Sequence, residues 1–140
     1  MKDLKELAKY YYTEENYNCS EAIIHAANER YDLKISEDDM KMFGGFGSGM
    51  YAGIVCGALA AGVAVLSKMV VVSKAREEGA TVRPAISNLV RTFRKNLDGI
   101  SCAELRPKYY TPEESCLKTV LLAAEALELS IEQSGKGSMC

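Results

Sequence analysis

The sequence predicts an all-α protein: a single-domain bundle of about five to six helices around a central Gly/Ala-rich apolar helix. Three observations carry this. Every strong apolar periodicity has helical spacing, and no stretch sustains the alternation of a strand. From Phe43 to Ser67 the chain carries no charged residue, which supplies one apolar helix for amphipathic neighbours to wrap. Ser, Thr or Asn stands just ahead of several periodic segments, where a side-chain oxygen can cap a helix.

Taken in order, Leu4, Leu7, Ala8 and Tyr11 form one stripe, so residues 2–13 are expected as the first helix. The second runs from about Asn18 to Tyr31, with Cys19, Ile23, Ala26, Ala27 and Arg30 on one side. Ser36 before Glu37, Asp38 and Asp39 reads as an N-cap with acidic first-turn residues, and a short helix reaches Phe43. The loop GGFGSG then opens a long apolar helix from Met50 to Val72, and Lys74 to Gly79 makes a polar exit. Pro84 fits the first turn of the next helix, whose stripe is Ile86, Leu89, Val90, Phe93 and Leu97, and Asp98-Gly99 stops it. Ser101 caps a short turn through Leu105 that Pro107 interrupts. Thr111-Pro112-Glu113-Glu114 is a capping box with proline at the first helical position, and the last helix reaches Gln133. Residues 1–133 are expected as the single helical domain and residues 134–140 as a flexible tail.

Composition narrows the function classes. A chain of 140 residues with 48% apolar and 26% charged residues supports one core and excludes wholesale disorder. The net charge of −2 with dispersed basic residues leaves no footprint for nucleic acid. Arg91, Arg94 and Lys95 interleave with Leu89, Val90, Phe93 and Leu97, the pattern of a solvated helix face. The uncharged segment is as long as a membrane span, but its glycine cluster and dense Gly and Ala favour a buried helix and no membrane span. The first residues, MKDLKELAKYYYTEEN, lack the apolar run of a secretory signal, so a cytoplasmic protein is expected. In that reducing setting cysteines serve as filler, metal ligands or redox centres more often than as structural disulfides.

Five cysteines are present. Cys19 follows Asn18, Cys102 follows Ser101, Cys116 comes soon after Thr111, and Cys56 lies early in the helix opened by the glycines. Each is thus expected at or near a helix start, where unsatisfied N–H groups and the positive end of the dipole favour thiolate, the form that attacks disulfides and binds metals. Cys116 shares a stripe with Val120, Ala123, Ala124, Leu127 and Ile131, and Cys56 neighbours Gly53, Gly57 and Ala60. Packing alone also accounts for any one buried cysteine. Cys140 falls in the tail and is taken as incidental. Gly45, Gly47, Gly49, Gly53 and Gly57 are the positions where a cofactor could approach the backbone, although no strand or GK[ST] accompanies them as in a phosphate loop. Gly49, Gly53 and Gly57, four apart, equally suit close helix crossing. His25 reads as a packed or surface residue, and Tyr10, Tyr11, Tyr12 and Tyr17 as boundary packing that could line a pocket or a dimer surface.

These residues taken in order, N-C-S-E-A, GGFGSGM, G-I-V-C-G-A and cysteines at 102 and 116, resemble the C_GCAxxG_C_C family of small redox-active proteins. The resemblance spans Cys19 to Cys116 and matches the four family cysteines to Cys19, Cys56, Cys102 and Cys116. It departs at one point: the closing glycine of CGAxxG falls at Ala61, with Gly62 next. What the resemblance implies is a cysteine-dependent redox role.

Three functions compete. In the first, two of the four cysteines cycle between dithiol and disulfide, or carry electrons, with Cys56 attacking and a redox partner protein accepting, and no cofactor is needed. In the second, Cys19, Cys56, Cys102 and Cys116 are metal ligands for zinc or an iron–sulfur cluster. In the third, the cysteines only pack, and a homodimer or partner complex of this helical module is the function.

Overall fold

Capping side chains set where most of the helices begin. The computed structural model describes residues 2–135, which form seven α-helices and no β-strand among the described residues. They are α1 (Leu4–Thr13), α2 (Cys19–Tyr31), α3 (Glu37–Met40), α4 (Gly57–Val70), α5 (Gly79–Leu97), α6 (Cys102–Tyr109) and α7 (Leu117–Gln133). Asp3, Asn18 and Ser101 each accept a backbone N–H of the following turn while Glu6, Glu21 and Glu104 reach back to the cap, completing capping boxes on α1, α2 and α6. Ser36 caps α3 through the Asp39 N–H.

The core is shared by two helices. α4 packs on α2, α5 and α7, while α1 closes the ring by touching both α2 and α7. α7 buries Val120, Ala123, Ala124, Ala126, Leu127 and Ile131 along one side, so it is as central as the Gly/Ala-rich α4. At Gly62 of α4 a Cβ would make ordinary contacts with the Leu127 and Leu89 side chains at 3.7 Å. Ala61, at the position of the missing motif glycine, is fully buried. Gly57, Ala58, Ala61 and Gly62 of α4 therefore pack inside the fold.

Three expectations about helix starts, and one about a helix interruption, are corrected. The apolar helix begins at Gly57, not Met50. Ser48, Gly49, Met50 and Tyr51 all take left-handed backbone conformations (φ 51, 64, 62 and 54°), which an α-helix cannot include. Residues 54–56 then run extended against 100–102, with the Cys56 N–H donating to the Ile100 carbonyl (2.8 Å) and the Cys102 N–H to the Ile54 carbonyl (2.7 Å). The uncharged segment is thereby broken, and no single helix among the described residues is long and apolar enough to cross a membrane.

Pro84 lies inside α5, which starts at Gly79 after a 3₁₀ turn (Ala75–Glu78), and Pro107 likewise lies inside α6. Both prolines stand in the sixth position of their helices, where the bond each removes is a single early one. The Thr111 box makes its expected bond from the Glu114 N–H (3.1 Å), but it closes a separate turn in place of a helix. Ser115 is left-handed (φ 56°), Thr111 and Ser115 exchange backbone hydrogen bonds, and α7 starts only at Leu117. The last helix ends at Gln133 as expected; residues 136–140, including Cys140 and most of the proposed tail, lie outside the described residues.

The packing predicts a contrast two residues apart on α7. Leu127 is 1% exposed and Leu129 is 42% exposed. Leu127→Ala should cost about 2–5 kcal/mol and Leu129→Ala well under 1 kcal/mol, read from denaturant unfolding.

Candidate functional site

Four helix N-termini converge on one small cavity, and each contributes a cysteine. Cys19 and Cys102 are the first residues of α2 and α6, directly after the capping residues Asn18 and Ser101. Cys56 and Cys116 themselves occupy the N-cap positions of α4 and α7. All four line a cavity of about 20 Å³, together with Gly49, Gly57, Leu105, Arg106 and Thr119. That volume accommodates about one water-sized body. All four thiols are free.

Non-helical segments deliver the sulfurs to this point. The 54–56/100–102 pairing sets Cys56 and Cys102 side by side at the starts of α4 and α6. The glycine loop folds over the start of α2, where the Asn18 side-chain amide donates to the Gly44 carbonyl (3.0 Å). Gly57 packs so closely that a Cβ would stand 2.4 Å from the Phe46 carbonyl oxygen and 2.9 Å from Cys19 Sγ. At Gly49, left-handed as well, a Cβ would meet the Ile54 backbone at 2.6 Å and Cys102 Cβ at 2.8 Å. On the far side, the Cys116 N–H donates to the Tyr12 hydroxyl (3.0 Å), tying α1 to the start of α7.

Of the five glycines expected to admit a cofactor, only Gly49 and Gly57 line the cavity. Gly45 faces open space, Gly47 packs against Asn18, and Gly53, left-handed at φ 73°, lies against Ala103. These glycines make turns and close contacts in place of a helix crossing. His25 is buried and stacks on Tyr17, with ring centroids 4.1 Å apart, away from the thiols.

Burial outweighs the helix ends in setting the thiols' acidity. Desolvation pushes Cys56 up to about 12, the sulfur of Cys19 adds to the push, and the amides of Leu59 and Ala58 oppose it. Cys19 is raised mainly by burial, against the pull of the Ser48 amide. Cys116 is also raised by burial, but the Arg106 guanidinium and the Tyr12 hydroxyl pull it down. Cys56 is only 4% exposed, so burial opposes the thiolate that its helix position favours.

Arg106 and Thr119 escaped the sequence reading. Arg106 stands four residues after Cys102 on α6, and Thr119 three after Cys116, so helical spacing from each cysteine could have found both. Arg106 is the one charged side chain among the cavity's lining residues. Among the described residues no group of three or more Cys, His, Asp or Glu side chains is arranged to hold a metal ion.

Comparison with known proteins agrees with the cysteine pattern. Residues 17–129 match the family described as "Putative redox-active protein (C_GCAxxG_C_C)". No curated protein and no solved structure matches the chain.

Two outcomes follow from the site's packing and charge. Gly57→Ala should destabilise the fold by about 1–3 kcal/mol, because neither the Phe46 carbonyl nor Cys19 can withdraw freely; thermal unfolding measures it. Cys56 holds its proton more tightly folded than unfolded, so its stabilising contribution is complete below the ordinary thiol range near 9 and is lost as pH climbs toward about 12. Stability against denaturant should fall across that alkaline window, and Cys56→Ala should make the fall shallower.

Proposed function

The chain belongs to the C_GCAxxG_C_C family, and from that premise we propose that Cys19, Cys56, Cys102 and Cys116 form the redox centre of a thiol–disulfide protein. One observation carries the reading: four thiols from four separate helix starts line a single cavity. A pair in such a cavity can lose two electrons and two protons to form one disulfide, which is neutral and suits a buried site better than thiolates do. Burial weakens the acidity of Cys19, Cys56 and Cys116, so those groups rest as neutral thiols near pH 7. A site that does little to stabilise its thiolates leans toward the reducing end of the scale. Such a protein would work in a reducing compartment beside a redox partner protein.

A second reading is a Cys₄ metal site, for which the four sulfurs would have to draw together, since no three of them are arranged to hold an ion. The cavity has room for about one water-sized body.

One preparation separates these. The protein is purified without oxygen, and its metal content and thiols are measured in denaturant before and after mild oxidation. The expected result is no stoichiometric metal, five free thiols at the outset, and loss of two or four that dithiothreitol restores. Stoichiometric zinc or iron with four protected thiols would overturn the disulfide reading in favour of the metal site. Absence of both metal and reversible pairing would leave the cysteines as packing.

A further inference from the structure

A second concavity is lined by the chain neighbours of Cys116, and its position assigns a direction of access. A groove of about 580 Å³ runs between the α1–α2 junction and the 111–115 turn, lined among others by Tyr12, Asn16, Tyr17, Glu113, Glu114 and Ser115. Cys116 stands in the wall between the two spaces. Its chain neighbours Ser115 and Leu117 line the groove, its own side chain lines the cavity, and Tyr12, which accepts its N–H, lines the groove. Neither Cys102 nor its chain neighbours Ser101 and Ala103 line the groove. Cys56 is buried, and Cys19 lies under Gly57 and the Ser48 amide.

The groove also has a charge. Glu113 and Glu114 are both exposed, and neither takes part in the ion pairs of the described residues. No cation lines the groove; the charged group lining the cavity is Arg106, whose guanidinium stacks on the Tyr110 ring (4.5 Å). Asn16 and the tyrosines offer hydrogen-bonding groups of the kind that hold peptide backbone. We propose that this groove receives a disulfide-bearing peptide or small disulfide with cationic flanking groups, and that Cys116 is the first sulfur to react with it. The inference rests on the thiol–disulfide reading.

The exchange takes two steps. Cys116 gives up its proton to solvent and the thiolate attacks the nearer substrate sulfur; the substrate S–S bond breaks and the distal sulfur leaves as a thiolate that takes up a proton. Cys102, facing the same cavity, gives up its proton and attacks Cys116 Sγ. The protein disulfide forms, and the second substrate sulfur leaves and is protonated. Two protein thiols are oxidised to one disulfide, and one substrate disulfide is reduced to two thiols.

The test uses the full chain carrying Cys140→Ser, with and without Cys102→Ser to hold the mixed disulfide. It is exposed to cystamine, which is cationic, and to glutathione disulfide, which is anionic. The labelled cysteine is identified by peptide mass spectrometry, and rates are divided by those of the same reagents with free N-acetylcysteine. If Cys102→Ser fails to fold by circular dichroism, rapid acid quenching of the Cys102-containing chain gives the same site readout. The first label is expected on Cys116, with cystamine favoured by about fivefold and the preference lost in Glu113→Gln/Glu114→Gln or at high salt. First labelling of Cys19, Cys56 or Cys102, or a normalised preference that the double variant leaves unchanged, overturns the inference. If the thiol titration shows reversible pairing while Cys116 is not labelled first, the groove assignment fails alone; if neither pairing nor labelling occurs, the disulfide reading fails with it.

Discussion

Four helix N-termini meet at the cysteine cavity, and the rest of the structure is arranged around that meeting because each terminus brings backbone N–H groups in need of partners. α2 and α6 satisfy theirs with capping boxes, which frees the next residue, Cys19 or Cys102, to face inward. α4 and α7 place a cysteine at the cap itself, with no side-chain cap bond. Holding four such ends together demands backbone that is not helical. The left-handed run at 48–51, the 54–56/100–102 pairing and the closed 111–115 turn supply it. The left-handed non-glycine residues carry strain of about 1–2 kcal/mol each, which the surrounding packing must offset.

Two opposing fields act on the sulfurs. Helix ends and nearby amides favour thiolate, and burial favours thiol. Desolvation prevails at Cys56, Cys19 and Cys116, and the sulfurs reinforce one another because each charge would repel the next. A buried cluster of this kind cannot hold several negative charges unaided. It can stay as neutral thiols, pair as disulfides or accept a compensating cation. Arg106 supplies a single positive charge on one side, so the cluster is asymmetric. The same asymmetry separates the buried Cys56 from Cys116, which stands in the wall of the open groove.

Local signals were read correctly where the chain satisfies them locally. Asn18 and Ser101 cap the helices they precede, Asp98 in a left-handed conformation ends α5, and the stripe from Val120 to Ile131 is buried. They failed where a distant segment took over. Thr111 makes its cap bond, yet Ser115 turns left-handed and Cys116 becomes the cap, in a wall shared with Tyr12. Met50 and Tyr51 sit in an apolar run that reads as helix, but the Ile54 carbonyl and Cys56 N–H are committed to residues 100–102. Arg106 has the spacing to share a face with Cys102, but nothing local says that this face meets three other helix starts.

The sequence by itself determined the all-α class, most helix ends, the amphipathic faces and the four cysteines at helix starts. Those properties follow from periodicity and capping, which act over a few residues. Only the tertiary structure decided that Cys19, Cys56, Cys102 and Cys116 share one cavity, that Cys56 is deeply buried, and that Arg106 and Tyr12 attend Cys116. Convergence of segments so far apart along the chain depends on packing and backbone pairing between them, and desolvation depends on what then surrounds each sulfur; neither quantity is a property of any local stretch of sequence.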